Sequence, residues 1–442
     1  MVGAQKSETR DTMRQRPRRN RSPTSGTAPQ ATGEKLRITM WDVSAALTPP
    51  AGEPYADIDK RLDEALERGY NAIRVEAFPI LKYPPIGEPW NEITALPAIP
   101  LQLSVPWLAR GGYSVRPHEN TVRLLKRVRD SGIKAILTTW APEFFSLFQQ
   151  TRDFQRRILA LPLDERIGVL AVAWKKLLAD YADMGLLDTI AYVELHNEAN
   201  VPFVNAAGLL GNRDETDRIY GLMGEAVQGI KAAFPDLAVG CSFTDDWNTV
   251  REFVPDVFDV LAFHPWITSV PEVNAQLARR RLEEYRPPDY EPPDVPAEDA
   301  WRYPPFLYEF YAIDKAKMNR WYGQMAATCR EPIRRYLRET LASVKQRADE
   351  IGARAALSEG YAVPWIYEGV GWDWIKEICG YAMEQAAKLG FYAVTTCNFS
   401  SPMFSLWDDV GWHQTMNRLL AETDSPGNPT QPEESADHPP GA

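Results

Sequence analysis

Eight short apolar runs, separated by longer segments with a helical pattern, constrain the fold of this 442-residue chain more than any other feature. Short continuous apolar runs are typical of strands buried on both faces, as in parallel sheets. Their alternation with helices predicts an α/β fold with the helices packed outside the sheet. The predicted strands are 37–41, 71–77, 133–139, 189–195, 237–243, 258–263, 353–358 and 391–397. Eight is the number that a closed barrel requires, so the predicted fold class is a (β/α)8 TIM barrel.

The segments between these runs carry apolar residues at the spacing of a helix. In the first of them, Ile58, Leu62 and Ala65 form one stripe. Gly352 and Gly390 stand just before the seventh and eighth strands, where a glycine commonly ends a helix. The predicted helices are 57–68, 119–131, 164–184, 214–233, 330–351 and 373–389.

Two connections are too long for a plain barrel. Residues 78–118 follow the second strand and contain many prolines, and residues 265–329 follow the sixth strand and are rich in proline and aromatic residues. Both insertions follow the carboxyl end of a strand, so we expect both to lie over the C-terminal face of the barrel. Long loops in a compact domain are usually lids or binding loops.

The two ends of the chain differ in composition from its middle. Residues 1–35 are polar and arginine-rich, and residues 423–442 are acidic and proline-rich, so both are predicted to be disordered tails around a barrel domain at 36–422. A solvated arm is the simpler interpretation of the basic tail, and a nucleic-acid role is its alternative. No apolar segment of a secretory signal follows the arginines, which favours a cytoplasmic protein and leaves secretion by another route open.

Charge and cysteine usage restrict the partners and cofactors. The net charge of −11 argues against a general nucleic-acid binder, because phosphate contacts need clustered lysine and arginine. No run approaches 18 consecutive apolar residues, so no membrane span is predicted. The four cysteines form no CxxC or Cys/His cluster. We therefore predict a protein with no metal and no cofactor.

Polar and aromatic side chains recur where the predicted strands end. The carboxyl ends of barrel strands form one face, and barrel enzymes carry out catalysis there. A desolvated charge is costly unless it is paired, so several ionisable groups at one mouth indicate a functional site. These residues are Trp41, Asp42, Arg74, Glu76, Trp140, His196, Asn197, Glu198, Asp245, Asp246, His264, Trp266, Glu359, Tyr361 and Asn398.

Two of these carboxylates have the placement of a catalytic pair. Glu198 follows the fourth strand and Glu359 follows the seventh. Two such carboxylates can serve as the acid and the nucleophile of a retaining glycosidase. The constellation resembles the clan of β/α-barrel glycoside hydrolases that includes the family 5 cellulases, and in particular its cellulase-like sugar-binding group.

The resemblance covers about 36–420 and depends on the order of its matches along the chain. In that clan an Asn-Glu pair ends strand four and its Glu is the general acid/base, which matches Asn197 and Glu198. The clan's nucleophile is a Glu that ends strand seven, which matches Glu359. An arginine on strand two and a histidine after strand six are matched by Arg74 and His264.

Four features depart from the family 5 pattern, and they concern the exact family and the sugar specificity. Trp140 stands where a histidine is frequent, and Trp266 stands where a tyrosine is frequent. Ala199 replaces the proline of the usual Asn-Glu-Pro. The tryptophan after strand eight has no clear match: Trp407 is a candidate, but Asn398 and Phe399 are nearer the strand.

The resemblance implies a retaining hydrolase of O-glycosidic bonds, acting on a β-glycoside or an oligosaccharide. Glu359 would attack the anomeric carbon while Glu198 protonates the departing oxygen. We expect Arg74 to keep Glu359 ionised, and we expect that negative charge to raise the pKa of Glu198. Asn197 is placed to bind the sugar 2-hydroxyl, and His264 to bind a carboxylate or the substrate.

Substrate contacts are predicted from residues at or just beyond the strand ends. Sugars present apolar C–H faces, for which aromatic rings are flat partners. The aromatic candidates are Trp41, Trp140, Trp266, Tyr361 and Trp365, and the polar candidates are Asp42 and Asn398.

Two other functions fit the same residues. A carbohydrate-binding barrel without turnover would keep the aromatic platform and would need neither carboxylate. A metal-dependent barrel isomerase or hydrolase would use side chains at the same mouth as ligands, although the chain has no HxH or HExxH signature. Its candidate ligands are Asp42, Glu198, Asp246, His264 and Glu359.

Overall fold

All eight predicted strands are present in a computed structural model of the protein, and they form one closed parallel barrel. The strands are β1 (Leu36–Asp42), β2 (Ala72–Glu76), β3 (Lys134–Thr138), β4 (Ile190–Glu194), β5 (Val239–Phe243), β6 (Val260–Phe263), β7 (Arg354–Leu357) and β8 (Ala393–Thr395). Around the barrel the order is β1-β8-β7-β6-β5-β4-β3-β2, so each strand lies beside its neighbours in sequence and β8 closes onto β1. The predicted (β/α)8 barrel is confirmed.

The structure describes only part of the chain. The described residues are 34–47, 51–85, 87–94, 103–104, 109–110, 113–140, 157–200, 211–245, 247–279, 314–362 and 371–423. The predicted tails, 1–35 and 423–442, fall almost entirely outside them. The proposed division of the chain into a barrel and two tails therefore stays a prediction.

Helices connect the strands in the places where the helical pattern occurs. Pro117 begins the second long helix, two residues before the predicted start, because proline suits the first turn of a helix. Gly352 and Gly390 end their helices with a φ of 72°, a left-handed conformation that favours glycine. The longer described helices are Ile58–Glu67, Pro117–Ser131, Leu163–Asp183, Arg213–Ala233, Pro271–Arg279, Lys315–Thr328, Arg330–Ile351, Asp373–Leu389 and Val410–Glu422.

Three of these helices, Pro271–Arg279, Lys315–Thr328 and Val410–Glu422, were not predicted. The last two start after an aspartate whose side chain accepts a backbone N–H of the first turn: Asp314 accepts from Lys317, and Asp409 accepts from Trp412. Pro271–Arg279 and Lys315–Thr328 lie within the insertion after β6. The insertion after β2 contains two small antiparallel pairs, Ile93–Thr94 with Ser114–Val115 and Leu103–Ser104 with Ala109–Arg110.

The core has two layers. A large cluster fills the space between the barrel and its helices, and a small cluster of mostly small apolar side chains fills part of the barrel interior. Ala72 on β2 and Tyr192 on β4 belong to the interior cluster. Because side chains alternate along a strand, Arg74 and Glu194, each two residues further on, also point into the barrel.

Two neighbouring strands approach closely at Gly240 on β5. A Cβ atom added there would lie 1.8 Å from the carbonyl oxygen of Val260 on β6. Only glycine therefore fits this position of the barrel wall, close beneath the strand ends that carry the site. Among the described residues, no helix combines the length and the apolarity that crossing a bilayer requires.

Candidate active site

Arg74 is the electrostatic centre of the barrel mouth. Its side chain is fully buried, and its guanidinium contacts a carboxylate from each of three strand ends. The distances are 3.1 Å to Asp42, 2.8 Å to Glu194 and 2.6 Å to Glu359. The same guanidinium donates to the side-chain oxygen of Asn197. Three buried carboxylates thus share one positive charge.

This shared charge compensates the three carboxylates unequally. Burial raises the pKa of Asp42 well above its usual range, although Arg74 opposes the shift. Burial acts on Glu194 in the same direction, but the attraction of Arg74 and His264 and the hydrogen bonds from Arg74 and Ser358 together outweigh it, and the pKa of Glu194 is lowered. Of the three carboxylates, Glu194 contributes most to stabilising the charged form of Arg74.

Glu359 lies directly after β7 and is almost completely buried, with 3% of its surface exposed. Burial raises its pKa, and the negative charge of Glu198 adds to this effect. Arg74 and His264 act in the opposite direction without reversing it.

Glu198 follows β4 in a strained conformation. Its φ is 49°, in the left-handed region that non-glycine residues rarely adopt, and its N–H donates to the Ser242 hydroxyl at 3.0 Å. Its Oε1 atom accepts two hydrogen bonds of 2.9 Å, from His264 Nδ1 and from Trp266 Nε1. About a quarter of its side chain, 24%, stays exposed. Glu198 is thus the solvent-facing member of the pair, held at one oxygen.

The pKa values of Glu198 and Glu359 are shifted in the directions opposite to those predicted from the sequence. Burial opposes ionisation of Glu198, but the two donors His264 and Trp266 outweigh it and lower the pKa of Glu198. Arg74 was expected to keep Glu359 ionised, and the negative charge of Glu359 was expected to raise the pKa of Glu198. The pKa of Glu198 is instead lowered, because Glu198 has donors of its own. The pKa of Glu359 is raised, because burial outweighs the attraction of the shared Arg74.

His264 connects the pair to the barrel wall. The side chain is fully buried after β6, with Nδ1 facing Glu198 and Nε2 lying 2.9 Å from the Ser358 hydroxyl. A carboxylate only accepts hydrogen bonds, so with Glu198 ionised the Nδ1 atom carries a proton. Ser358 immediately precedes Glu359, and the contact therefore orients the ring against both strand ends.

Two members of the predicted aromatic platform are packed into the protein. Trp41 and Tyr361 are fully buried: the Trp41 ring packs against Tyr55 at 5.2 Å, and the Tyr361 hydroxyl donates to the Thr395 carbonyl oxygen at 3.0 Å. Their assignment as sugar contacts stays a prediction. Trp365 lies outside the described residues.

The other predicted contacts do lie at the mouth. The Trp140 ring lies 4.8 Å from the guanidinium carbon of Arg74, a cation–π contact. Trp266 contacts Glu198, as described above. Asn398 donates its N–H to the Gly360 carbonyl at 2.5 Å, and its buried Nδ2 group has no hydrogen-bond partner among the described residues. Such an unpaired buried donor is costly unless a ligand accepts its bond.

Glu194 and Ser358 were missed by the sequence analysis. Glu194 ends a strand that is otherwise apolar and buried, and an ionisable residue in such a strand was the available signal. Ser358 gave no comparable signal, because serine is common at the ends of strands.

Three side chains of the mouth also have the geometry of metal ligands. One ligand atom each from Glu198, His264 and Glu359 lie within 4.8 Å of one another. Of the other two ligands proposed for a metal site, Asp42 is bound to Arg74, and Asp246 lies outside the described residues.

Comparison with known proteins shows that the chain matches one protein family. The profile of a family described as sugar-binding cellulase-like matches residues 38–421. No curated protein sequence matches the chain.

Solved structures similar to the chain include three proteins. A candidate glycoside hydrolase from Parabacteroides distasonis ATCC 8503 aligns with a TM-score of 0.65 and 22% identity, over 89% of this chain and 95% of that chain. The endo-beta-1,4-mannanase from Thermotoga petrophila aligns with a TM-score of 0.47 and 12% identity, over 90% of this chain and 79% of that one. GH5_18 from Streptomyces cattleya, in complex with GlcNAc, has the same TM-score of 0.47 and 12% identity, over 89% and 83%. The match of the family profile over most of the barrel decides the assignment: the chain belongs to the sugar-binding cellulase-like family.

Proposed function

We propose that the protein is a retaining β-glycoside hydrolase in which Glu359 is the nucleophile and Glu198 the general acid/base. The observation that carries the proposal is the distance between these two residues: a carboxylate oxygen of each lies within 4.8 Å of the other at the C-terminal mouth of the barrel. Retaining enzymes hold their two carboxyl groups about 5–5.5 Å apart, whereas inverting enzymes need about 6.5–9.5 Å to admit a water molecule.

The chemistry takes two steps. Glu359 attacks the anomeric carbon, the glycosidic C–O bond breaks, and Glu198 transfers its proton to the departing oxygen. In the second step Glu198 takes a proton from a water molecule whose oxygen attacks the same carbon, and the bond to Glu359 breaks. The protein returns to its starting protonation state.

The first step requires the proton to be on Glu198. Two carboxylates this close titrate as a pair, and at an intermediate pH they hold one proton between them. In the free protein, burial favours the proton on Glu359, while His264 and Trp266 stabilise the charge on Glu198. The donors to Glu198 therefore set how readily Glu198 takes up the proton that the first step needs.

Replacing Trp266 with phenylalanine tests this proton balance. The Trp266→Phe variant lacks the indole N–H that stabilises ionised Glu198, so the pKa of Glu198 rises. We expect the alkaline limb of the kcat/KM profile to move to higher pH. Trp247→Phe is the matched control, since its indole donates to Ser343 outside the site at 3.0 Å. A limb that stays in place or moves down would contradict the assignment of Glu198.

A panel of aryl β-glycosides tests the function itself. Wild-type protein should release the aryl group from at least one sugar, and proton NMR of the first product should show the β-anomer. A first product with the α-configuration would establish inversion and overturn the roles of both carboxylates. No release from any member, together with saturable binding of a sugar, would establish the non-hydrolytic alternative that the family description also fits.

The three-ligand cluster favours a metal-dependent function as a second candidate. Its weakness is Arg74, whose guanidinium lies 2.6 Å from Glu359, where a bound cation would meet like charge. Prolonged dialysis against a chelator decides the point. Activity that survives chelation counts against a metal, and activity that is lost and then restored by one added divalent ion would establish it.

For the substrate, we propose that Asp42, Asn398, Trp140 and Trp266 contact the sugar. Asn398 has an unpaired donor, and Asp42 has a second carboxylate oxygen besides the one bound to Arg74. Both match the hydroxyl groups of a carbohydrate.

A further inference from the structure

Glu76 is a third acidic residue of the mouth, and the proposed reaction does not use it. It is the last residue of β2, two positions after Arg74, and only 2% of its surface is exposed. Among the described residues no basic side chain forms a salt bridge with it. A buried carboxylate without an ionic partner is costly and calls for a physical reason.

Its hydrogen-bond partners include two backbone amides from different loops. Oε1 accepts the N–H of Phe78 at 2.6 Å, and Oε2 accepts the N–H of Trp140 at 2.6 Å. Phe78 lies in the loop after β2 with a φ of 53°, a conformation that a bulky residue rarely adopts, and Trp140 follows β3. Glu76 therefore joins two adjacent strand-end loops and supports the strained backbone of one of them.

The loop that carries Trp140 contacts the proposed nucleophile through Arg74. The Trp140 ring packs on the guanidinium of Arg74, and that guanidinium binds Glu359. A displacement of the Trp140 backbone would remove the ring from Arg74. The chain of contacts runs from Glu76 through Trp140 and Arg74 to Glu359.

We propose that Glu76 is a positioning residue, which holds Trp140 against Arg74 and so sets the geometry of the nucleophile Glu359. The proposal rests on the proposed glycosidase function. Only a carboxylate accepts both amides, because glutamine would present one acceptor and one NH₂ group to two N–H donors.

The surroundings of Glu76 make this function dependent on pH. Burial raises the pKa of Glu76 to about 7, against the opposing effect of the two amides, the Thr139 hydroxyl and His196. Tyr181, in the helix Leu163–Asp183, is the other titratable group that interacts with it from a neighbouring element. Protonation replaces an acceptor by a donor O–H, so we expect the hold on the two loops to weaken below about pH 7.

The contribution of Glu76 to the stability of the fold depends on pH in the opposite direction. Because the pKa of Glu76 in the folded protein is above its ordinary value of 4.5, this residue stabilises the fold most below pH 4.5. That contribution is lost as the pH rises through about 7. The ionised form that positions Trp140 is thus the form that costs stability, as expected for a residue with a functional role.

The test is Glu76→Gln, with Glu64→Gln as the matched control. Glu64 also accepts from a tryptophan, Trp407, at 3.0 Å, but it lies on the outer helix Ile58–Glu67. For Glu76→Gln we expect kcat to fall about tenfold to a hundredfold, with a smaller change in KM, and the limb of the kcat profile near neutral pH to disappear. Glu64→Gln should keep the wild-type kcat and the wild-type pH profile.

A second measurement needs no activity. In protein labelled with ¹⁵N-tryptophan, the backbone amide signal of Trp140, assigned by its loss in Trp140→Phe, should shift with a midpoint near pH 7 in the wild type and stay constant in Glu76→Gln. A wild-type signal that does not move between about pH 5 and pH 9 would overturn the proposal, as would unchanged kinetics in Glu76→Gln. A moving signal in a protein that hydrolyses no glycoside would support the hold on Trp140 and overturn the glycosidase function instead.

Discussion

Glu359→Ala should abolish hydrolysis of aryl β-glycosides, with kcat reduced by roughly 10⁴-fold or more. The expected loss is this large because the nucleophile forms the covalent intermediate, and none of the other groups described at the mouth is placed to replace it. Added azide should restore release of the aryl group. Azide then attacks from the face that Glu359 occupied, and the product should be the α-glycosyl azide.

Glu198→Ala is the matched comparison, because it separates the two roles by the configuration of the product. Its first step should survive with substrates whose leaving group needs no proton, such as dinitrophenyl glycosides, and fail with poorer leaving groups. Azide then attacks the glycosyl-enzyme, and the product should be the β-glycosyl azide. If the configurations are exchanged, Glu198 is the nucleophile and Glu359 the acid, as the pKa directions of the free protein alone would indicate.

Arg74→Met should cause the largest loss of stability of any single substitution at the mouth. It removes the positive charge that the three buried carboxylates Asp42, Glu194 and Glu359 share. Breaking a buried ion pair costs about 3–5 kcal/mol in free energy of unfolding. The loss should shrink towards acid pH, where the carboxylates become protonated, and urea titrations at acidic and neutral pH measure it.

The variant Arg74→Lys separates charge from geometry. Lysine keeps the charge but cannot contact three carboxylates and Asn197 at once, so we expect a smaller loss of stability and a decrease in kcat on the order of 10²-fold. Arg68→Lys is the control: Arg68 is also buried, and it stacks on Trp407 at 4.5 Å away from the mouth. It should lose stability while keeping kcat. Equal effects of both substitutions on kcat would show that Arg74 acts only through the fold.

The strands and the family were predictable from the sequence because they depend on local patterns. Buried parallel strands are short apolar runs, and the structure has all eight within two residues of the predicted ends. The helices at 330–351 and 373–389 have the predicted bounds, since a glycine ends each of them. The helix Val410–Glu422 begins after a lone aspartate, Asp409, and was missed although this cap was a signal available in the sequence.

The role of single side chains at the mouth was less predictable. Trp41 and Tyr361 lie at strand ends like Trp140 and Trp266, and their position in the sequence is equally suited to bind a sugar. The first two are fully buried, whereas the last two, each 7% exposed, contact Arg74 and Glu198. A strand end determines the height of a residue along the barrel axis, but the packing of neighbouring loops determines which way its ring faces.

The sequence by itself determined the barrel, the strand ends that meet at one mouth and the carboxylates Glu198 and Glu359, because hydrophobic periodicity and strand polarity are properties of the chain read in order. Only the tertiary structure decided how the charges at that mouth are shared. A pKa depends on every group within a few ångströms, and those groups come from separate strands. Arg74 is divided among three carboxylates, His264 and Trp266 both donate to Glu198, and Glu76 holds amides of two loops. These contacts join residues far apart in the chain, so no pattern along the sequence contains them.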